Sequence, residues 1–441
     1  MPARTAILTL FLCAWSVSHT AASNCAVTST GLIPLTDPGP ALYQGYERGL
    51  YPGGALTRPI AHEQAGSSLA RIALRDSAGQ PDALAGKVVL LTIGMSNTSI
   101  ESQSFIQIAG PGSGRNPAVV IVNGAQGGWT GTRVADPAQN ALFWTTVDQR
   151  LAAAGVTGAQ VSAVWLKEAE SGPTQAFPQD AQILQANLEA IARIIRARYP
   201  NAAQLYGSSR IYAGYATTSL NPEPYAYQSG FSVQWMVGKQ LSGAPSLAFD
   251  PAVGPVVVPW ISWGPYLWAD GMTPRAGDGL IWECADLRET DGTHPSASGS
   301  AKVAGLLLDF FLGDSVASRW FADCSPGDPD TFSIPQEALD VVLRPDDATG
   351  EMMLQWQGLA PSSGSATTHD VAIGALSSLA MTGWPGQAAC AAPGVGASSL
   401  RDLAPLPPLG EGIWYLIRGR NACAAGSYGS PALDAASPCP N

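Results

Sequence analysis

Histidine is scarce in this chain, with four in 441 residues. His62, His294 and His369 lie far apart, and none belongs to an HExxH or HxH pattern, which argues against a histidine-built metal centre. No CxxC pair occurs, so a zinc ribbon is excluded as well. Charge is also sparse: 13 % of residues are Asp, Glu, Lys or Arg, and the net charge is -11. Nucleic acid is therefore not an expected partner, because phosphate binding needs a basic face. There is no GxGxxG fingerprint, which removes the usual dinucleotide reading. No stretch is apolar for long enough to span a bilayer. The run "AILTLFLCAWSV" near the N-terminus is too short for that.

That run has the layout of a secretory signal: Arg4 before it, and the small residues Ala21, Ala22 and Ser23 after it. Residues 1–23 are expected to be removed on export, leaving a secreted, cell-surface or periplasmic protein. Cys13 would leave with them. Cys25, Cys284, Cys324, Cys390, Cys423 and Cys439 remain, an even number that favours disulfides in an oxidising compartment. Sequence alone does not choose among their pairings.

Residues 24–86 are rich in glycine, proline and turns, with "HEQAGSSLARIAL" as a candidate helix. From Lys87 the rhythm changes. "KVVLLTI", "AVVIV", "QVSAVW", "LYGSSRIYAGY" and "VVVPWI" read as buried strands. Between them, Leu184, Leu188, Ile191 and Ile195 form one apolar stripe on a helix over 179–199, and "SAKVAGLLLDFFLG" reads as a closing helix. Strands alternating with helices predict an α/β domain with a mainly parallel sheet over 24–321. A linker follows at 322–334. The runs "LDVVLRP", "MMLQWQG", "HDVAIGAL" and "GIWYLIRGRNA" then predict a small all-β sandwich over 335–441.

In an open parallel sheet, ligands bind at the carboxyl edge, so the residues following each strand carry the functional information. "GMSNTSIES" offers Ser96 as a nucleophile, with Gly94 permitting the turn and Asn97 beside it. "NGAQGGWTG" has glycines whose backbone amides can approach a ligand and hold an oxyanion. "LKEAESGP" brings Lys167, Glu168 and Glu170 to the same edge. "DGTHPSASG" places Asp291 three residues before His294, close enough for the carboxylate to fix the imidazole tautomer and leave the other nitrogen free for a serine proton. Pro295 and the serines after it signal the start of the closing helix. Trp260, Trp263, Tyr266, Trp268 and Trp282 are either core residues or a stacking surface for sugar rings.

This order of blocks resembles the SGNH (GDSL-type) hydrolase superfamily over roughly residues 87–312. "GMSN" looks like its nucleophile block, "NGAQGG" its glycine block, "VWLKEAE" its third block, and "DGTHPSASG" its final Asp-x-x-His block. The resemblance implies a three-layer α/β/α, flavodoxin-like fold and ester hydrolysis without cofactor or metal. Carried over, Ser96 is nucleophile, His294 general base and Asp291 its orienter. Ser96, Gly128 and Lys167 would serve the oxyanion, and Asn97, Trp165 and Trp263 the substrate. The first block has Met95 where the family has aspartate, and the third has Lys167 where the family has an Asn or Gln. The implied substrate is a carboxylic ester, with an acetylated carbohydrate as one candidate. The alternative is a surface or polysaccharide-binding protein on a catalytically impaired hydrolase fold. The segment 335–441 resembles a fibronectin type III-like module.

Overall fold

The computed structural model describes residues 23–70, 74–82, 85–323, 335, 338, 340–346, 349, 351–377, 388–402, 404, 407–421, 425–426, 428 and 438–439. Residues 1–22 of the expected signal segment and most of the expected linker lie outside the described residues.

Five parallel strands form the central sheet: β1 (Val88–Gly94), β2 (Val119–Asn123), β3 (Val161–Lys167), β4 (Gln204–Gly207) and β5 (Trp260–Trp263). Their order is β2-β1-β3-β4-β5, the doubly wound arrangement in which the chain reverses direction beside β1. Every residue of β1, β3, β4 and β5 is buried, as near-continuous Val, Ile and Leu runs require when both faces are covered. The helices that cover them are α1 (Ile60–Leu69), α2 (Ser96–Ile108), α3 (Gly131–Ala135), α4 (Ala141–Ala153), α5 (Gln179–Arg198), α6 (Tyr225–Leu241) and α7 (Ala297–Gly313). α2 packs on α7, and α5 packs on α3 and α6. Leu184, Leu188, Ile191 and Ile195 are buried, so the apolar stripe of α5 faces the core as its spacing requires.

Two strand expectations shift. "LYGSSRIYAGY" is strand only as far as Gly207. Beyond it the backbone leaves the sheet, Arg210 N donating to Ser229 Oγ. In "VVVPWI" the ladder begins at Trp260, because Val257 and Val258 direct their amides to Ala248 O and Pro259 has none to give.

C-terminal of the α/β region lie β6 (Val342–Pro345), β7 (Met352–Gln355), β8 (Thr368–Ala375), β9 (Ala389–Val395), β10 (Ser399–Arg401) and β11 (Ile413–Arg420). They form two antiparallel sheets, β10-β7-β6 and β9-β8-β11. Leu354 of one and Val371 and Ile417 of the other share an apolar cluster separate from the main core. Disulfides join Cys25 to Cys284 and Cys390 to Cys439, while Cys324 and Cys423 lie outside the described residues. Among the described residues no helix is long and apolar enough to cross a membrane.

Candidate active site

Parallel register aligns the strand ends. Gly94 pairs with Lys167, Thr92 with Asn123, and both Leu166 and Trp263 with Gly207. The loops leaving β1, β2 and β3 therefore emerge side by side. Ser96 is the first residue of α2, immediately beyond β1, so its amide belongs to the first turn and has no intrahelical acceptor. Gly94 is required there by close approach: a Cβ would lie 2.1 Å from Lys167 O. The turn is thus tight because β3 presses on it.

The closing segment comes from far along the chain. Ser296 caps α7 through its hydroxyl, and the preceding loop folds Asp291 back onto His294. Gly292 sits at φ +61°, where a Cβ would strike Tyr215 O at 2.3 Å, so glycine alone fits. Asp291 Oδ1 accepts the amides of Thr293 (2.7 Å) and His294 (2.8 Å), and its Oδ2 accepts His294 Nδ1–H at 2.9 Å. His294 Nε2 then lies 2.8 Å from Ser96 Oγ, across 198 residues of sequence. The Nδ1 proton held by Asp291 leaves Nε2 free to accept from the serine hydroxyl. Burial works to raise the Asp291 pKa, but the two backbone amides and the imidazole outweigh it and hold the carboxyl below its usual range. The imidazole and carboxylate are each about one-fifth exposed, so solvent reaches the hydrogen-bond chain.

Asn97, expected at the substrate, does something else. It is buried, and its Nδ2 donates to Thr293 O at 2.9 Å, tying the start of α2 to the Asp–His loop. Ser104 and Ser300 link α2 to α7 one level lower, at 3.0 Å. Ser96, at the start of α2, and His294, in the loop that leads into α7, are therefore held by two helices locked to one another.

Gly127 also borders the serine: a Cβ on Gly127 would lie 3.7 Å from Ser96 Cβ, whereas one on Gly128 would meet nothing within 4 Å. Gly128 has φ +76° and its carbonyl accepts Arg133 Nη1 at 2.6 Å. Arg133 also stacks on Trp129, 4.2 Å from the ring centre, and so braces the glycine loop. Glu170, just beyond β3, supports the same loop, accepting Thr132 N and Asn187 Nδ2, each at 2.9 Å.

Lys167 does not face the serine as an oxyanion donor should. Its ammonium is 1 % exposed and donates to both oxygens of Glu101 at 2.5 Å, while Glu101 is fully buried on α2. Burial lowers the Lys167 pKa against the pull of Glu101. Glu168 is buried too, and desolvation drives its carboxyl well above the ordinary range. Glu101 is a residue that sequence reasoning passes over. The signal is there: it is the one charged residue of α2, as Lys167 is of β3.

Trp165 and Trp263 are core residues. Trp165 donates to Ser208 Oγ and Trp263 to Leu50 O, and both lie in the main apolar cluster. Trp260, Tyr266, Trp268 and Trp282 are buried as well, so none of the five late aromatics offers a sugar-stacking face. Cys284 is bridged, as expected, and the other described histidines serve packing: His62 stacks on Trp260, and His369 Nδ1 contacts Val395 O.

No family model matches the chain, and no curated protein does. Among solved structures it is similar to the protein YXIM of Bacillus subtilis, at 10 % identity over 52 % of this chain and 58 % of that one, with a TM-score of 0.28. A lipase from a goat rumen metagenome shares 12 % identity over 51 % of this chain and 98 % of its own, with a TM-score of 0.30. A carbohydrate acetylesterase from Xanthomonas citri shares 14 % identity over 77 % and 73 %, with a TM-score of 0.27. Likenesses this distant carry no argument about activity, which rests on the arrangement of Ser96, His294 and Asp291.

Proposed function

We propose that this protein is an exported serine esterase. One observation carries the reading: the unbroken hydrogen-bond chain Asp291–His294–Ser96 at the carboxyl edge of the sheet. Ser96 Oγ attacks the ester carbonyl as its proton passes to His294 Nε2, and Asp291 stabilises the resulting imidazolium. The negative oxygen is held by the amide of Ser96 and by the Gly127–Gly128 stretch. Collapse of this intermediate expels the alkoxide, which takes the proton from His294 and leaves an acyl group on Ser96. Water, deprotonated by His294, then releases the acid and regenerates the hydroxyl.

The site, in this reading, has no side-chain donor in the third block, because Lys167 is bound to Glu101. Losing one such donor costs about 10²–10³ in turnover, so a modest rate is expected. For the alcohol part, an acetylated carbohydrate is the substrate to test first. Trp129, half-exposed and adjacent in sequence to Gly127 and Gly128, is packed by Arg133 and Phe143. The two described disulfides suit an oxidising compartment. Residues 24–321 are assigned as the catalytic unit, and 335–441, as a fibronectin-like unit, to attachment or spacing. The binding-protein alternative loses its stacking tryptophans, all of which are buried.

The test is hydrolysis of p-nitrophenyl acetate together with labelling by a fluorophosphonate. Ser96→Ala should reduce the rate to background, a loss of about 10⁴-fold or more, and should abolish labelling. Unchanged turnover in that variant overturns the reading.

A further inference from the structure

Away from the Ser96–His294 contact, a cavity of about 20 Å³ lies between the exit of β3 and the first turns of α5 and α6. That is room for one atom the size of a water or a metal ion, since a single such occupant needs roughly 10–15 Å³ on the same measure. Glu170, Asp180, Asn221 and Gln228 line it. Asn221 and Gln228 are each 3 % exposed, and Asn221 Oδ1 and Gln228 Oε1 have no hydrogen-bond partner. Gln228 donates through Nε2 to the Tyr43 hydroxyl, which leaves its carbonyl oxygen as the unsatisfied end. Asp180 Oδ2 accepts Gln175 N, and neither Glu170 nor Asp180 pairs with a Lys or Arg among the described residues. The carboxylate of Asp180 also offsets the positive end of α5, in whose first turn it stands.

Two orphaned buried oxygens beside two carboxylates without a cation form a set of acceptors with a charge of opposite sign missing. Leaving such oxygens bare costs about 1–3 kcal/mol each. No cluster of three or more His, Cys, Asp or Glu exists among the described residues, so the donors here are of the mixed carboxylate and amide kind. Hard divalent cations prefer all-oxygen shells of this sort, and calcium tolerates their irregular geometry better than magnesium.

We propose that this cavity binds one calcium-sized divalent cation, held by Glu170, Asp180, Asn221 and Gln228. The ion would tie the β3 exit to two helix starts. It would thereby stiffen Glu170, which already supports the loop carrying Gly127 and Gly128. The proposal is independent of the esterase reading, since the ion takes no part in the reaction.

The purified full chain, stripped with a chelator, is titrated with CaCl2 against matched NaCl and MgCl2 while thermal unfolding is followed. Tb³⁺ is added in parallel, with Tyr225, which lines the cavity, as the sensitising chromophore. Calcium should raise the melting temperature saturably, with a midpoint at or below about 10⁻³ M, the range of extracellular calcium modules. Terbium emission should appear and be displaced by calcium. Gln228→Met and Asp180→Asn, which keep volume and remove an oxygen or a charge, should each weaken binding at least about tenfold. No saturable shift and no emission would mean a water-filled cavity and overturn the proposal. A midpoint unchanged in both variants would place any bound ion elsewhere and overturn it equally.

Discussion

The exits of β1 and β3 are neighbours, with Gly94 and Lys167 as register partners, yet they are used in opposite ways. At β1 the chain turns at once into α2 and presents a half-buried hydroxyl to an imidazole. At β3 the charged residue folds inward and is neutralised by Glu101 from that same helix. One exit keeps its polar group at the rim, and the other commits its polar group to anchoring α2. The difference teaches that a sheet edge hosting chemistry also needs an internal brace. Here Lys167, at the end of β3, is that brace.

Three sets of substitutions break or sharpen this contrast. The largest effect is expected at the rim. Asp291→Asn keeps the fold but loses the acceptor that sets the imidazole tautomer, so kcat should fall about 10⁴-fold, judged by the behaviour of such triads elsewhere. Circular dichroism and melting should stay near wild type, and a rate within about tenfold of wild type would refute the assigned role. Next comes the brace. Lys167→Met takes from the buried Glu101 carboxylate its hydrogen-bonded ammonium, with the Arg210 charge still nearby, and should destabilise the protein by about 3–5 kcal/mol, read from urea unfolding. Adding Glu101→Leu should restore most of that loss, because a matched apolar pair can replace a buried ion pair with little change in stability. If the double variant also keeps esterase activity within about tenfold, Lys167 is a brace and not an oxyanion donor. A loss of about 10²-fold or more in a stable double variant would reverse that conclusion.

The smallest effect separates two imidazoles. His62 is buried against Trp260, its Nε2 donating to Ile261 O at 2.8 Å, and desolvation pulls its pKa down to about 4. The unfolded chain, with its histidine near the ordinary value of about 6.5, binds the proton first as pH falls. Stability should therefore decline as pH drops from about 6.5 to 4, by up to about 1.4 kcal/mol per unit from this one group. His62→Gln keeps a donor and removes the titration, so its unfolding free energy should be flatter across that window. An identical slope in both proteins would refute the assignment.

Much of this architecture is legible in the sequence, and the exceptions have physical causes. β1, β2 and β3 stand out because buried parallel strands are unbroken apolar runs. α6 does not, because Gln228, Ser229, Ser232, Gln234 and Gln240 are all buried on it, so its polar residues do not mark a solvent face. β9 is hidden because "ACAAPGV" reads as a loop, yet proline is admissible on an edge strand, which this is. At the site, the Asp-x-x-His spacing is informative because three residues suffice to close one turn. The late tryptophans stay ambiguous in the sequence because composition does not tell which way a ring points, and burial decides for the core.

Ser96 and His294 are 198 residues apart in sequence, and α7 must dock on α2 before their side chains meet. A chain still being synthesised, before residue 294 has been added, thus carries only an ordinary serine alcohol. On the proposed esterase reading, reactivity therefore waits on the completed fold, which serves as the safety catch.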